Sequence, residues 1–190
     1  MKNNLLFLFL ISSFFCFSQE NLITTNHSFS NAMSNWETGA WGDDNFTPEA
    51  DFNIETKKGQ DDLNCIKVYV KKNTISGMGN RIFLKHLGLK VKKGKNYRLS
   101  FWVRSFTPAD RIHVEVYSAK DTGSNKPWTA AVNTNIPYVG NGKWQKVSKT
   151  FTMERIQGGS KLDLKNIGLL FGFDLRKGSF YLDNVMLERI

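Results

Sequence analysis

The sequence predicts an all-β protein built as a two-sheet antiparallel β-sandwich, and two observations carry this prediction. Apolar and polar residues alternate with period two in several runs, which is typical of half-buried strands. Turn-forming residues separate these runs, and all four prolines fall outside them. Many short strands at regular spacing indicate a sandwich or barrel in which one face of each sheet packs the core. The clearest runs are 65–71, 97–104, 112–117 and 167–173.

The alternation assigns a face to each side chain of the two best strands, because successive side chains of a strand point to opposite faces. Tyr97, Leu99, Phe101 and Val103 are expected in the core, as are Ile112, Val114 and Val116. The opposite faces carry Arg98, Ser100, Trp102 and Arg104 on one strand, and His113, Glu115 and Tyr117 on the other.

Residues 1–18 predict a secretory signal peptide. A lysine at the second position precedes a mostly apolar run over 5–17, and small residues precede Gln19 as a cleavage site. The run is too short to cross a membrane as a helix, and no other stretch approaches the roughly 20 apolar residues required. We therefore expect residues 19–190 to form one monomeric domain that is secreted, periplasmic or displayed at the cell surface.

Charge and cysteine content narrow the classes of function. The chain has a net charge of +9, and its basic residues are dispersed rather than clustered. Such an excess attracts anionic polymers, but an exported chain without a recognisable nucleic-acid-binding motif is not expected to bind nucleic acid. Cys65 is the one cysteine beyond the signal peptide, so no internal disulfide is expected, and we interpret it as a packed small hydrophobe.

Four segments carry a resemblance to a known family. They are 21–29 followed by Trp36, 94–104, 142–144 followed by Phe151, and 178–187. In this order they resemble the strands of carbohydrate-binding modules of the CenC type, a family 4/9/22-like group with a galactose-binding-like jelly roll. The resemblance spans the predicted domain, and it implies polysaccharide binding on a sheet face and core positions for Trp36 and Trp144.

The chemistry of sugars identifies candidate binding residues. Sugar C–H groups pack on the faces of aromatic rings, and the hydroxyl groups need polar partners at the rim of the site. The outward sets of the two best strands have this composition, and two further tryptophans lie in loop-like segments, where large rings either bind or anchor the loop. The candidates are Trp41, Trp102, Arg104, His113, Glu115, Tyr117 and Trp128. Because of the positive charge, an anionic glycan such as an alginate-like or sulfated polymer is the expected ligand.

Asp183 lies among apolar residues of the closing segment, and burying a carboxylate costs several kcal/mol unless the charge is paired. The resemblance implies a structural calcium ion where the first and last strands meet, with Asp183 as a ligand. The family usually supplies a glutamate after the phenylalanine of the opening strand, but here that position is Ser30. The alternative pairs Asp183 with backbone N–H groups or a nearby lysine.

Two other classes of function stay open. A glycosidase needs two carboxyl groups that face each other across the substrate, whereas the acidic pairs at 43–44 and 61–62 are neighbours in sequence. Glu115 and Asp174 are the acids placed on strands, and no other catalytic motif is visible. Modules of this family usually accompany glycoside hydrolases, so an association with hydrolysis of glycosyl bonds is one alternative.

The third class is a structural or adhesive β-sandwich of the cell surface. Burial of Trp102, Tyr117 and Trp128 together would favour it. An open groove lined by these rings would instead favour sugar binding.

Overall fold

The computed structural model describes residues 20–41, 49–61, 63–72, 81–106, 111–118, 129–158, 161–173 and 178–190. The strands in these ranges are β1 (Trp36–Trp41), β2 (Glu49–Glu55), β3 (Cys65–Lys72), β4 (Arg81–Leu89), β5 (Asn96–Ser105), β6 (Arg111–Ser118), β7 (Thr129–Pro137), β8 (Gln145–Thr152), β9 (Gln157–Gly158), β10 (Ile167–Gly172) and β11 (Gly178–Arg189). None of the described segments contains a helix that is long and apolar enough to span a membrane.

The strands form two antiparallel sheets that pack against each other. The six-stranded sheet has the order β1-β4-β10-β6-β7-β9, and the five-stranded sheet has the order β2-β3-β11-β5-β8. Every paired strand in the described ranges is antiparallel to its neighbour. The predicted all-β sandwich is therefore confirmed.

The alternation of β5 shows how the sequence produces this arrangement. Tyr97, Leu99, Phe101 and Val103 are at most 1% exposed and belong to the main core, whereas Trp102 is half-buried on the opposite face. The ring centroids of Phe101 and Phe171 lie 4.8 Å apart, so β5 of one sheet contacts β10 of the other across the core. Removing these apolar side chains from water is the main stabilising contribution to such a fold.

The opening segment is fastened to β11, but it is mostly turn rather than the predicted strand. Asn21 makes an isolated bridge to Glu188, and its Oδ1 accepts the N–H of Leu187 at 2.9 Å. Beyond it the chain turns, because the Nδ2 of Asn26 donates to the carbonyls of Ala32 at 2.8 Å and Ser34 at 2.9 Å. These contacts hold a compact loop instead of extending the sheet.

Candidate functional site

The structure divides the predicted binding residues between two surfaces. Trp102 and Arg104 lie on β5 of the five-stranded sheet, whereas β6, which carries His113, Glu115 and Tyr117, belongs to the six-stranded sheet. The two outer faces of a sandwich point in opposite directions, so one sheet face cannot hold the whole set. We call the outer face of the six-stranded sheet face I and that of the five-stranded sheet face II.

Two predicted residues fall at the edge of the described chain. The backbone of Trp41 ends β1, but its side chain lies outside the described residues. Trp128, directly before β7, also lies outside them. Both tryptophans therefore stay predictions.

Face I has an apolar strip made of aromatic rings that lie across glycines. Phe83 and Tyr117 form a buried cluster with Ala130 and Leu170, separate from the main core. A Cβ atom added at Gly39 would lie 2.5 Å from Cζ of Phe83, and one added at Gly168 would lie 3.3 Å from Cε1 of Tyr117. Both rings therefore rest against backbone that carries no side chain. Phe83 is 7% exposed and Tyr117 8%, and burial, followed by the charge of Glu115, raises the pKa of Tyr117 to about 12.

Hydrogen-bonded polar side chains adjoin this strip. Nε2 of His113 lies 2.8 Å from Oε1 of Glu115, and Nδ1 of His113 lies 3.1 Å from Oδ1 of Asn135. On β7 and β9, Nδ2 of Asn133 donates to Oε1 of Gln157 at 2.7 Å. This edge is open to water, since Asn135 and Gln157 are exposed and Asn133 is half-buried.

The opposite edge of face I carries one ion pair. Nζ of Lys85 lies 2.8 Å from Oε2 of Glu37, and the two residues are register partners on β4 and β1. Face I therefore combines a central apolar strip with a polar rim on each side.

The sequence placed His113, Glu115 and Tyr117 on the outward side of β6, and the structure adds that all three are at most 8% exposed. Sequence reasoning missed Phe83, Asn133 and Asn135, which complete face I. These three residues lie on face I because β10 pairs with β4 and β6, and β7 pairs with β6. The alternation within one strand does not show which strands are its neighbours. The one signal available in the sequence was the glycine that each ring lies against, Gly39 for Phe83 and Gly168 for Tyr117.

Face II is organised around the guanidinium of Arg104. Its Cζ lies 4.4 Å from the ring centroid of Tyr181, 4.8 Å from that of Trp144 and 5.9 Å from that of Phe106. Arginine stacks on aromatic faces by cation–π attraction. Trp144 was expected in the core but is half-buried on this face, because its ring packs on Arg104 and Tyr181. Trp36 does lie in the core, at 5% exposure.

Along β5, face II continues from Arg104 past Trp102 into a polar groove. Trp102 is half-buried, and its register partner on β8 is Lys146. Beyond it the groove has a volume of about 330 Å³, and its walls are Arg98, Ser100, Lys146, Ser148, Met186 and Glu188. Arg98 is paired there, since its Nη2 lies 3.2 Å from Oε2 of Glu188.

Asp183 lies at a bulge of β11, where the register shifts before Met186 and Asn184 adopts a φ of 45°. The carboxylate is fully buried and accepts two backbone N–H groups, that of Gln60 at Oδ2 (2.8 Å) and that of Asn184 at Oδ1 (2.7 Å). Burial raises the pKa of Asp183 to about 6, the two N–H donors oppose that rise, and nearby Asp61 adds to it. The carboxylate thus ties the turn before β3 to the closing strand.

The surroundings of Asp183 decide what a calcium ion would find there. Among the described residues, no group of three or more His, Cys, Asp and Glu side chains is placed to hold a metal ion. Asp183 offers one carboxylate, the carbonyls of Leu63 and Asn64 lie near it beside Gly59, and Ser30 is exposed. The calcium ion stays a prediction, and the two N–H donors give the rival, metal-free account.

Cys65 lies beneath the same turn and is fully buried. Burial and the neighbouring Asp183 raise the pKa of its thiol to about 11. A thiol with such a pKa stays protonated at neutral pH, so Cys65 is a packing residue rather than a nucleophile.

Solved structures with the same architecture include three of different sizes. A family 4 carbohydrate-binding module is 18% identical, with a TM-score of 0.61, and the match covers 87% of this chain and 98% of the module. A family 22 xylan-binding domain from Paenibacillus barcinonensis is 14% identical, with a TM-score of 0.54 and coverage of 90% and 96%. Tailspike protein 4 of bacteriophage CBA120 is 13% identical, with a TM-score of 0.60, and the match covers 90% of this chain but 21% of the tailspike chain. These likenesses show the fold.

Sequence comparison adds the family. A search of curated proteins found no match. A family model described as a carbohydrate binding domain, CBM_4_9, matches residues 21–165, which is most of the chain. The predicted resemblance is confirmed, and the chain belongs to this family of carbohydrate binding domains.

Proposed function

We propose that the protein is a secreted, non-catalytic carbohydrate-binding protein that holds a polysaccharide chain along face I. The observation that carries the proposal is the apolar strip of Phe83 and Tyr117 between two polar rims. Sites for sugars combine these two elements, because the ring C–H groups are apolar and the hydroxyl groups are not.

The rims supply hydrogen-bonding partners of both kinds. Amide groups of Asn133, Asn135 and Gln157 donate and accept, and the Glu37–Lys85 pair adds a charged acceptor and a charged donor. The buried contact between His113 and Glu115 fixes the position of the Asn135 partner, so part of the rim is ordered before the sugar arrives. Such preorganisation lowers the entropy cost of binding.

The chemistry of the site supports binding without turnover. Glu37 and Glu115 are acids of face I, and each contacts a basic neighbour, at 2.8 Å in both cases. An acid pair free to act on both sides of a glycosidic bond is what a hydrolase would require. An association with a glycoside hydrolase remains compatible with the proposal, since a binding module raises the local concentration of a partner enzyme at its substrate.

The adhesive alternative needs Trp102, Tyr117 and Trp128 to be buried together. Tyr117 is buried, Trp102 is half-buried, and Trp128 lies outside the described residues. Sugar binding is favoured over that alternative by the two polar rims of face I.

Two further elements belong to the proposal. Residues 1–18 have the pattern of a signal peptide, which supports export. The net charge of +9 supports acidic glycans among the ligands. Among similar structures, one is a xylan-binding domain and another is a module in complex with β-1,4-galactotriose, so neutral β-linked chains are the first ligands to test.

Affinity electrophoresis tests the proposal. The protein is run through gels containing soluble xylan, β-1,4-galactan or polygalacturonate, each at low and high salt. We expect retardation by xylan or galactan, and a double Asn133→Ala, Asn135→Ala variant should bind these neutral polymers about tenfold more weakly, because two rim hydrogen bonds are lost.

The matched control is Asn53→Ala, which removes an exposed amide from β2 on the other sheet. It should leave retardation unchanged. Equal weakening of the control and the double variant would contradict face I as the site, and no retardation of the wild-type protein by any polymer would overturn the binding proposal itself.

A further inference from the structure

We propose that face II is a second, separate glycan-binding site, and that it selects polysaccharides with acidic sugar units through Arg104. The inference rests on the proposed function in one respect, namely that the ligand is a glycan. It adds a surface on the opposite side of the sandwich and a ligand charge that face I does not require.

The first argument is the state of the Arg104 guanidinium. Tyr181, Trp144 and Phe106 surround it at 4.4–5.9 Å, so its plane is held by rings and not by an acid. Its Nε is buried without a hydrogen-bond partner, and no ion pair joins it to any described carboxylate. An arginine fork presents several N–H donors in a fixed geometry that matches a carboxylate or sulfate group.

A comparison along β5 makes this state distinctive. Arg98 lies on the same face of the same strand, and its Nε and Nη2 both lie 3.2 Å from Oε2 of Glu188. Face II therefore contains one arginine in an ion pair with Glu188 and one, Arg104, that forms no ion pair with a described residue, although its charge contributes to lowering the pKa of Glu55. Charge complementarity assigns an external anion to Arg104.

The second argument is the set of rings around this charge. Phe106 is 65% exposed, while Trp144, Tyr181 and Trp102 are half-buried. Exposed rings beside a cation provide the stacking surface for a sugar that carries an acidic group. An inorganic anion alone has no apolar surface that would stack on these rings.

The third argument is the extent of the surface. The outward positions of β5 run from Arg98 to Arg104, and Phe106 follows directly after the strand, which makes a strip of about 27 Å at roughly 3.4 Å per residue. The groove of about 330 Å³ lies at the Arg98 end and includes Lys146, a second cation. This strip suits an extended polymer rather than a single sugar, and Arg104 lies near its more aromatic end.

Polygalacturonate and its fully methyl-esterified form provide the test, since they share a backbone and differ in charge. Binding is measured by affinity electrophoresis and by the change in tryptophan fluorescence, because the ring of Trp144 lies 4.8 Å from the Arg104 guanidinium. Dextran sulfate and dextran form a second matched pair, which distinguishes a sulfate ligand from a carboxylate ligand. Arg104→Gln should weaken binding of at least one acidic polymer tenfold or more and leave binding of both neutral forms unchanged.

Two variants guard against misreading. Arg189→Gln, which removes an exposed guanidinium from the end of β11 outside the proposed strip, should change binding less than twofold. Arg104→Lys keeps the charge but loses the planar fork, so it should recover only part of the affinity, and thermal melting of each variant confirms that it is folded. Equal losses for Arg189→Gln and Arg104→Gln would show diffuse charge attraction and overturn the inference.

The outcomes also separate this inference from the proposal for face I. The double Asn133→Ala, Asn135→Ala variant should weaken neutral glycans while Arg104→Gln weakens acidic ones. If neutral glycans bind and no acidic polymer responds to Arg104→Gln, face II is not a site and face I stands. If acidic polymers bind through Arg104 and no neutral polymer is retarded, face I fails and face II stands.

Discussion

The aromatic rings on the two outer faces of the sandwich differ in exposure and in the groups around them. On face I, Phe83 and Tyr117 rest on glycines and are almost fully buried, and the charged groups nearby are paired. On face II, Phe106 is largely exposed, and the rings surround a guanidinium that forms no ion pair in the described part of the chain. The difference teaches that one small sandwich can carry rings as a nearly closed apolar strip on one face and as a largely exposed cluster around a charge on the other.

The largest expected difference between the faces is in stability. Tyr117→Ala removes a ring that is 8% exposed, so it should lower the free energy of unfolding by about 3–5 kcal/mol, the usual cost of deleting a buried aromatic side chain. Phe106→Ala removes a ring that is 65% exposed and should cost less than about 1 kcal/mol. Urea denaturation of both variants measures the difference, and similar costs would mean that the faces are not built differently.

The pH dependence of stability is the next largest effect, and it probes the buried carboxylate of Asp183 on β11 of the five-stranded sheet. Asp183 has an ordinary pKa of 3.8, and its folded pKa is raised to about 6, so between these values the folded chain binds more protons than the unfolded one. Its contribution is therefore present at low pH and is lost as the pH rises through about 6, a change of about 2 kcal/mol between pH 4.5 and pH 7. The difference in unfolding free energy between wild type and Asp183→Asn, followed across this range, isolates this residue from the other carboxylates.

The proposed calcium ion makes the opposite prediction for the same residue. A bound cation favours the ionised carboxylate and stabilises the folded chain by mass action. Removing calcium with EDTA at pH 7 should then lower the melting temperature, by about 2–4 °C for each kcal/mol of binding. Once the ion is removed, the stability that Asp183 contributes should again be present at low pH and lost as the pH rises through about 6. If neither EDTA nor added calcium changed the melting temperature, the two backbone N–H donors alone would account for the burial of the Asp183 carboxylate.

The smallest expected signal comes from Cys65, which begins β3 directly after the turn that Asp183 holds. Its thiol is fully buried and its pKa is raised to about 11, so iodoacetamide should leave it unlabelled in the folded protein at pH 7. In denaturant the same thiol should react fully. Mass spectrometry distinguishes the two states, and labelling without denaturant would show that the turn opens.

The sequence was sufficient for what depends on a single strand. The alternation in β5 predicted that Tyr97, Leu99, Phe101 and Val103 enter the core, and they do. The buried carboxylate of Asp183 was also visible as a fold feature, since a charge among apolar residues requires partners.

Features that depend on which strands are neighbours could not be predicted from the sequence. Trp102 and Tyr117 both lie on the outward side of an alternating run, and nothing in the alternation says that β5 and β6 belong to different sheets. The prediction that Trp144 lies in the core was wrong for a similar reason. Its ring packs on Arg104 and Tyr181 only because β5, β8 and β11 are adjacent in the folded sheet.

The place of β11 in its sheet also sets the order in which the domain can fold. β11 is last in the chain yet lies between β3 and β5, and its Phe180 pairs with Val68 on one side and Ser105 on the other. The five-stranded sheet therefore cannot close until residues more than a hundred positions apart have met, and such distant pairings make folding slow. Until β11 is available, the edges of β3 and β5 with which it pairs in the folded domain stay open.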